Sequence, residues 1–236
     1  MTLRLNVGSP REPWLARLTI PNYRIKDAAR YADVSTATIA HWHSDDASQL
    51  LSEREDRAAL SYLQLIEIAV VAAFRRAGVK LKDIKAARAY VQKQIEEEYP
   101  FAVYKFKTDG KNMLMDYAQI DKKKGKGKLL EVNKNGQLAW PEVLNRLLKE
   151  FEYDPKKNFV SQWHVDGTSS PIIIDPRLSF GAPTVNGTPT WAIRDRWIAG
   201  EAVEEIAEDF ELPKKHVVVA LGFEGYHPEQ QRAWVN

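Results

Sequence analysis

At 236 residues the chain is long enough for one large domain or two small ones, and 44% hydrophobic with 28% charged residues is an ordinary globular balance. A net charge of +2 excludes nucleic-acid binding through an overall basic excess, so any DNA-binding face must come from local segregation of charge. The absence of cysteine excludes disulfides, thiol catalysis and cysteine-bound zinc; with no apolar run of about 18 residues and no signal-peptide pattern, the sequence predicts a cytoplasmic protein without a membrane segment.

Residues 1–22 read as an irregular arm. Pro10, Pro13 and Pro21 resist helix, and Trp14, Leu15, Leu18 and Ile20 supply apolar anchors. The stretch Tyr23–Trp42 then has the spacing of a helix–turn–helix. Its inward positions hold Ala28, Ala29, Ala32, Val34, Ile39 and Trp42, with mostly polar residues between them. Small alanines let two helices cross closely. Asp33 stands where the turn needs a left-handed residue, and Ser35 is a good N-cap for the second helix. Ser35, Thr36, Ala37, Ala40 and His41 then form the outward face, the face that would enter a DNA major groove. His41 and His43 lie about 200° apart on a helix and have no third ligand nearby, so no metal site is expected.

Arg57 to Ala77 is a helical, broadly apolar pattern with Arg75 and Arg76 at its C-terminal end and Gly78 as its stop. An amphipathic helix over Lys82–Glu97 follows, with Ile84, Ala87, Val91 and Ile95 on one face, and Pro100 closes it. Residues 101–139 alternate as strands do. Val103 to Thr108 leads into the turn Asp109-Gly110, and a second hairpin turns at Asn133–Gly136. Between them, Asp121–Lys128 is a charge run with no aromatic partner, a solvated loop or a non-specific phosphate contact. Val143, Leu144, Leu147, Leu148 and Phe151 mark a short helix, and 152–171 reads as loop anchored by Trp163.

Ile172–Ile174 is a short buried strand. The turn-rich stretch DPRLSFGAPTVNGTPT follows, and then a helix from about Trp191 to Ala199 that ends at Gly200. Beyond it, the helix–turn–helix spacing returns with inward Ile206, Ala207, Phe210, Leu212, Val217 and Ala220. Here the first helix carries Glu201, Glu204, Glu205, Glu208 and Asp209 outward, and the second shows Lys214 and Lys215 at its start but then Val218 and Val219. Carboxylates would be repelled by phosphates, so this copy is expected to meet a protein partner rather than DNA. The competing arrangement packs Val218 and Val219 inside the chain, against the Trp191–Ala199 helix.

Two resemblances rest on these motifs. Residues 23–98 resemble the DNA-binding domain of MerR-type regulators: the helix–turn–helix, a linking segment with Arg54 and Arg57, and LSYLQLIEIAVVAAFRRAGVKLKDIKAA. The resemblance implies that the two following helices support a wing and that Arg54 and Arg57 contact the DNA backbone. It stops at Pro100, where MerR regulators continue into one long dimerising helix. Residues 172–223, through IDPR, FGAPTVNGTPT and EEIAEDFELP, resemble a small domain of VapB-type antitoxins. The combination resembles antitoxins paired with PIN-domain ribonuclease toxins, and it implies a dimer that binds operator DNA, represses its own operon and blocks its toxin.

The expected fold class is α+β, mostly α. A winged helix–turn–helix domain over 23–100 follows the arm, a β-hairpin and short-helix connection spans 101–171, and a small helical domain fills 172–236. No phosphate loop, nucleophile elbow or HExxH occurs, and His164, Asp166 and Asp175 form no recognised acid–base set, so no catalytic residue, cofactor or metal is expected. The alternatives are a stand-alone MerR-like regulator with a ligand- or protein-binding C-terminal half, and a metal-dependent nuclease. On the first reading the protein sits on the nucleoid when bound to its operator.

Overall fold

The computed structural model describes residues 12–44, 50–52, 58–76, 78–82, 84–85, 88–89, 92, 97–103, 149–154 and 159–228. It combines helices with a five-stranded antiparallel sheet whose strands neighbour one another in chain order. The chain divides into two compact units, Met1–Ser161 and Gln162–Asn236.

The first unit is built on one helix. Helices α1 (Ile25–Ala32) and α2 (Thr36–Trp42) precede α3 (Tyr62–Arg76), in which Tyr62 to Ala72 and Phe74 are all buried. Such all-round burial matches its nearly continuous apolar sequence. The sequence carried this helix back to Arg57. Instead, Leu60 exchanges backbone hydrogen bonds with Tyr23, at 2.9 and 2.7 Å, so its polar groups are committed to a β-bridge. The helix starts at Tyr62, on a reciprocal cap at Ser61. Ser61 Oγ accepts from the Gln64 amide, and the Ser61 amide donates to Gln64 Oε1.

Pro13 does not resist helix here. It occupies the first position of a 3-10 helix, Pro13–Leu18, where its missing N–H costs nothing. The three-residue period buries Leu15 and Leu18 together and leaves Ile20 off that face, 53% exposed and no anchor. Val103, expected in a strand, ends the short helix α4 (Pro100–Val103), whose Phe101 ring packs 5.9 Å from that of Phe74. Phe151, expected on a helix, begins strand β1 (Phe151–Tyr153), and the supposed loop beyond it holds β2 (Val160–Trp163). Tyr104 to Leu148, and with them both expected hairpins and the charge run, lie outside the described residues, as do Ala87, Val91 and Ile95.

The second unit starts within β2 and continues through β3 (Ile172–Ile174), β4 (Pro183–Val185) and β5 (Thr188–Pro189). Its register pairs Ile172 with Val185 and Val185 with Thr188. The turn-rich stretch is therefore partly a hairpin. Asn186 and Gly187, with φ of 49° and 85°, make a two-residue turn with both φ positive, matching the twist of the strands. Helices α5 (Thr190–Ile198), α6 (Val203–Asp209) and α7 (Lys214–Phe223) follow, and Ile193, Ile206, Val217 and Leu221 meet Ile172 and Val185 in one core. Glu224 ties the ends together, accepting from Thr190 Oγ1 at 2.6 Å and from Arg194 Nη1 at 3.2 Å.

Candidate functional site

Each unit contains one pair of helices joined by a tight turn, and the two pairs share the same local construction. In the first, Asp33 is left-handed (φ 52°, ψ 52°) and the Val34 amide donates to the Ala29 carbonyl at 3.0 Å. In the second, Glu211 is left-handed (φ 53°) and the Leu212 amide donates to the Ala207 carbonyl at 2.8 Å. The amide five residues on thus caps the first helix in both; Leu212 is buried, whereas Val34, expected inward, is only half-buried. Ala28, Ala29, Ala32, Ile39 and Trp42 are buried in the first pair; Ile206, Ala207, Leu212, Val217 and Ala220 are buried in the second. Phe210, expected inward, is half-buried beneath the Arg196 guanidinium, 5.3 Å from its ring centre.

Neighbouring groups fix the first pair in place. Ser35 Oγ accepts from the Thr38 amide at 3.0 Å and caps α2. Arg76, at the end of α3, donates to the Ala32 carbonyl at 2.7 Å and so closes the C-terminus of α1. The Trp42 carbonyl accepts from the amides of both Leu50 and Leu51. His43 is buried, with Nδ1 2.7 Å from the Ser52 carbonyl, an oxygen that can only accept; His41 is exposed. Ser35, Thr36, Ala37, Ala40 and His41 are all exposed, Ser35 as the N-cap of α2 with its hydroxyl already engaged and the other four on the helix itself. Arg54 and Arg57 lie outside the described residues.

On the second pair, Glu204, Glu205 and Glu208 are exposed. Glu205 accepts from the Ala202 amide at 2.9 Å and caps α6, and Glu204 meets Lys214 at 3.4 Å. Val218 and Val219 are half-buried and pack against the core of their own unit, so they present less apolar surface than free outward residues would.

Matching the two turns pairs residues the sequence reading did not compare. Lys26 and Arg30, both exposed on α1, take the places of Glu204 and Glu208 on α6. The outward face of the first helix is therefore basic in one pair and acidic in the other. Aligning the two sequences on their shared spacing would have found Lys26 and Arg30. The same division runs through the units. Residues 1–161 hold 28 Lys and Arg against 21 Asp and Glu, a net +7, whereas residues 162–236 hold 6 against 11, a net −5. The overall +2 conceals this.

Elsewhere the charged groups are structural. Asp175 accepts from the amide, Nε and Nη2 of Arg177, which fixes the turn after β3. Arg196 bonds Glu201 and Asp209 and binds the α5–α6 connection. In the first unit, buried Glu67 accepts from Arg88 Nη2 at 2.8 Å and from the Phe101 amide at 2.9 Å. Burial pushes the Glu67 carboxyl above its ordinary range, against the opposing pull of Arg88 and the Phe101 amide. Among the described residues, no group of three His, Asp or Glu is placed to hold a metal, and no helix is long and apolar enough to cross a membrane.

Residues 172–223 match the model of a family described as a protein of unknown function, DUF433. The chain is also similar to a Mycobacterium tuberculosis protein named "Putative antitoxin VapB45", with 24% identity over 82% of this chain and 90% of the relative. Among solved structures it resembles the crystal structure of Rv2018 from Mycobacterium tuberculosis, with a TM-score of 0.68 and 22% identity over 87% of this chain and 99% of that one.

Proposed function

We propose that the chain is an antitoxin that divides its work between its units. The first binds duplex DNA and represses its own operon, and the second holds a toxin protein. What carries the reading is the opposite charging of the first helices in two helix pairs of the same construction. Lys26 and Arg30 are exposed on α1, and Thr36, Ala37, Ala40 and His41 on α2, as suits a helix–turn–helix beside phosphates. At the matching places of the second pair, Glu204 and Glu208 would repel DNA and attract a basic protein. The name of the mycobacterial relative supports a toxin–antitoxin role for this chain. A PIN-domain ribonuclease, which needs a basic groove for RNA, suits the acidic unit as its toxin. The MerR-like arrangement of the first unit, with Arg54 and Arg57 on the DNA backbone, and operator binding as a dimer belong to the same proposal.

The test uses the whole chain with two probes: a duplex from upstream of its own gene and the product of the neighbouring open reading frame. The reading requires salt-dependent, sequence-preferring binding of the duplex and a stable complex with the protein. Binding of neither sinks it; binding of the duplex alone leaves a stand-alone regulator.

A further inference from the structure

We propose that the second unit holds its partner through a surface built on Phe180, Trp191 and Ile198, and that the occupant is a basic protein with an apolar recess. This rests on the function proposed above and names the surface that carries its protein-binding half.

The first observation is where exposed apolar side chains fall. Among the described residues five large ones are exposed, and four of them, Leu178, Phe180, Trp191 and Ile198, belong to the second unit. Scattered exposure needs no explanation, but here Trp191 and Ile198 are seven apart on α5 and so share one helix face. By contrast Val218 and Val219, the residues on which the sequence would rest an interface, already pack against their own core.

The second observation is how Phe180 is held. Ser179 and Phe180 both have positive φ, at 42° and 56°, directly before Gly181 at 80°. Two non-glycine residues in that region in succession are disfavoured, and an aromatic residue there more so. The turn is nevertheless fixed, by the Arg177–Asp175 contacts on one side and by Ser179 Oγ donating to the Gly187 carbonyl at 3.2 Å on the other. This strained turn leaves Phe180 69% exposed, so most of its surface lies outside the core of its own unit. An exposed aromatic on a fixed backbone is a form an interface anchor takes, since the turn that carries it has little ordering entropy left to lose on docking.

The third observation is reach. Phe180 adjoins the residue bonded to Gly187, and Trp191 lies four residues beyond Gly187. Standard backbone lengths place their Cα atoms no more than about 26 Å apart. A standard interface of roughly 800 Å² per partner, taken as a disc, is about 32 Å across and covers both.

Charge selects the occupant. The unit is net −5 and exposes Glu204, Glu205, Glu208 and Asp209. Two copies of it docked symmetrically would set like charges against each other, whereas a basic protein is steered in.

The experiment is calorimetry on the full chain with the purified product of the neighbouring reading frame, for wild type, Phe180→Gly, Trp191→Ala and Ile20→Ala. Glycine suits the backbone at 180, so Phe180→Gly is expected to keep a melting temperature within a few degrees of wild type. Phe180→Gly and Trp191→Ala are each expected to weaken binding by about 30-fold or more, the loss of an anchor residue, while Ile20→Ala stays within about two-fold. Wild-type affinity in both of the first two variants overturns the surface and leaves the partner reading intact. If the wild-type chain ignores that product and instead self-associates in a manner abolished by Phe180→Gly, the occupant is a second copy and the proposal is wrong. A chain that does neither overturns the proposal together with the function on which it rests.

Discussion

Lys26 and Arg30 stand four residues apart on one exposed helix face and differ from His41 in what they can recognise. A phosphate contact is indifferent to sequence; a base contact is not. Lys26→Ala and Arg30→Ala are expected to weaken all duplexes alike, each lowering the slope of log affinity against log salt by about 0.9. His41→Ala should instead relax base preference at one position, at about 1–3 kcal/mol, with the salt slope kept. Anisotropy titrations on operator and scrambled duplexes over a salt series separate the two behaviours. Glu67 and Arg88 act at the same scale but on stability. Their side chains are 1% and 9% exposed, so removing one leaves a buried charge without its counterpart. Glu67→Met or Arg88→Met alone should cost about 3–5 kcal/mol in chemical denaturation, and the double variant should cost clearly less than the sum. The pH dependence follows from the raised Glu67 value. A carboxyl that holds its proton more tightly folded than unfolded contributes stability that is complete below its ordinary 4.5 and fades as pH rises through the raised value. In Glu67→Gln that decline above 4.5 should vanish from a melting-temperature series.

At the scale of elements, α1 and α2 are short and bury few residues each. Their fifteen residues are pinned by Ile39 and Trp42, 0% and 3% exposed. Truncating either to alanine should cost about 2–5 kcal/mol, and operator binding should fall with it because this packing helps to position the outward face. A Trp42→Ala chain with an unchanged thermal midpoint would show that the burial means little. This pair was legible in the sequence because apolar residues at helical spacing stood among polar ones and the turn needed only Asp33 and Ser35. The hairpin β4–β5 was not: Pro183 and Pro189 argue against strand, and only their places, at the start of one short strand and the end of another, make them acceptable. Strand β1 was hidden for another reason. Phe151 continues the helical spacing that begins at Val143, and three residues of strand are too few to show alternation. The candidate site divides the same way. The α2 face was legible from spacing. Lys26 and Arg30 needed the comparison of two turns, and Phe180 gives no sign in the sequence that its side chain points outward, since an exposed and a buried phenylalanine are written alike.

Over the whole molecule the quantity that matters is the arrangement of charge and not its total. A chain of net +2 has little general attraction for DNA, yet its first unit at +7 and its second at −5 differ by twelve charges. If total charge governed binding, exchanging charges between the units would change nothing. The fourfold variant Lys26→Glu, Arg30→Glu, Glu204→Lys, Glu208→Lys leaves the net charge at +2 and reverses the outward face of both helix pairs. All four side chains are exposed, and the ion pair lost between Glu204 and Lys214 is a surface contact at 3.4 Å, so the fold should lose no more than about 1 kcal/mol from it. Segregation predicts that operator affinity collapses and that the salt slope, losing two phosphate contacts, drops by about 2. It also predicts slower association with a basic partner, because steering depends on the field of the docking unit. Stopped-flow mixing at two ionic strengths measures the second effect and anisotropy the first. Retained affinity for the duplex in a folded fourfold variant would place DNA binding elsewhere on the chain, and an unchanged association rate would remove charge as the ground for a basic partner.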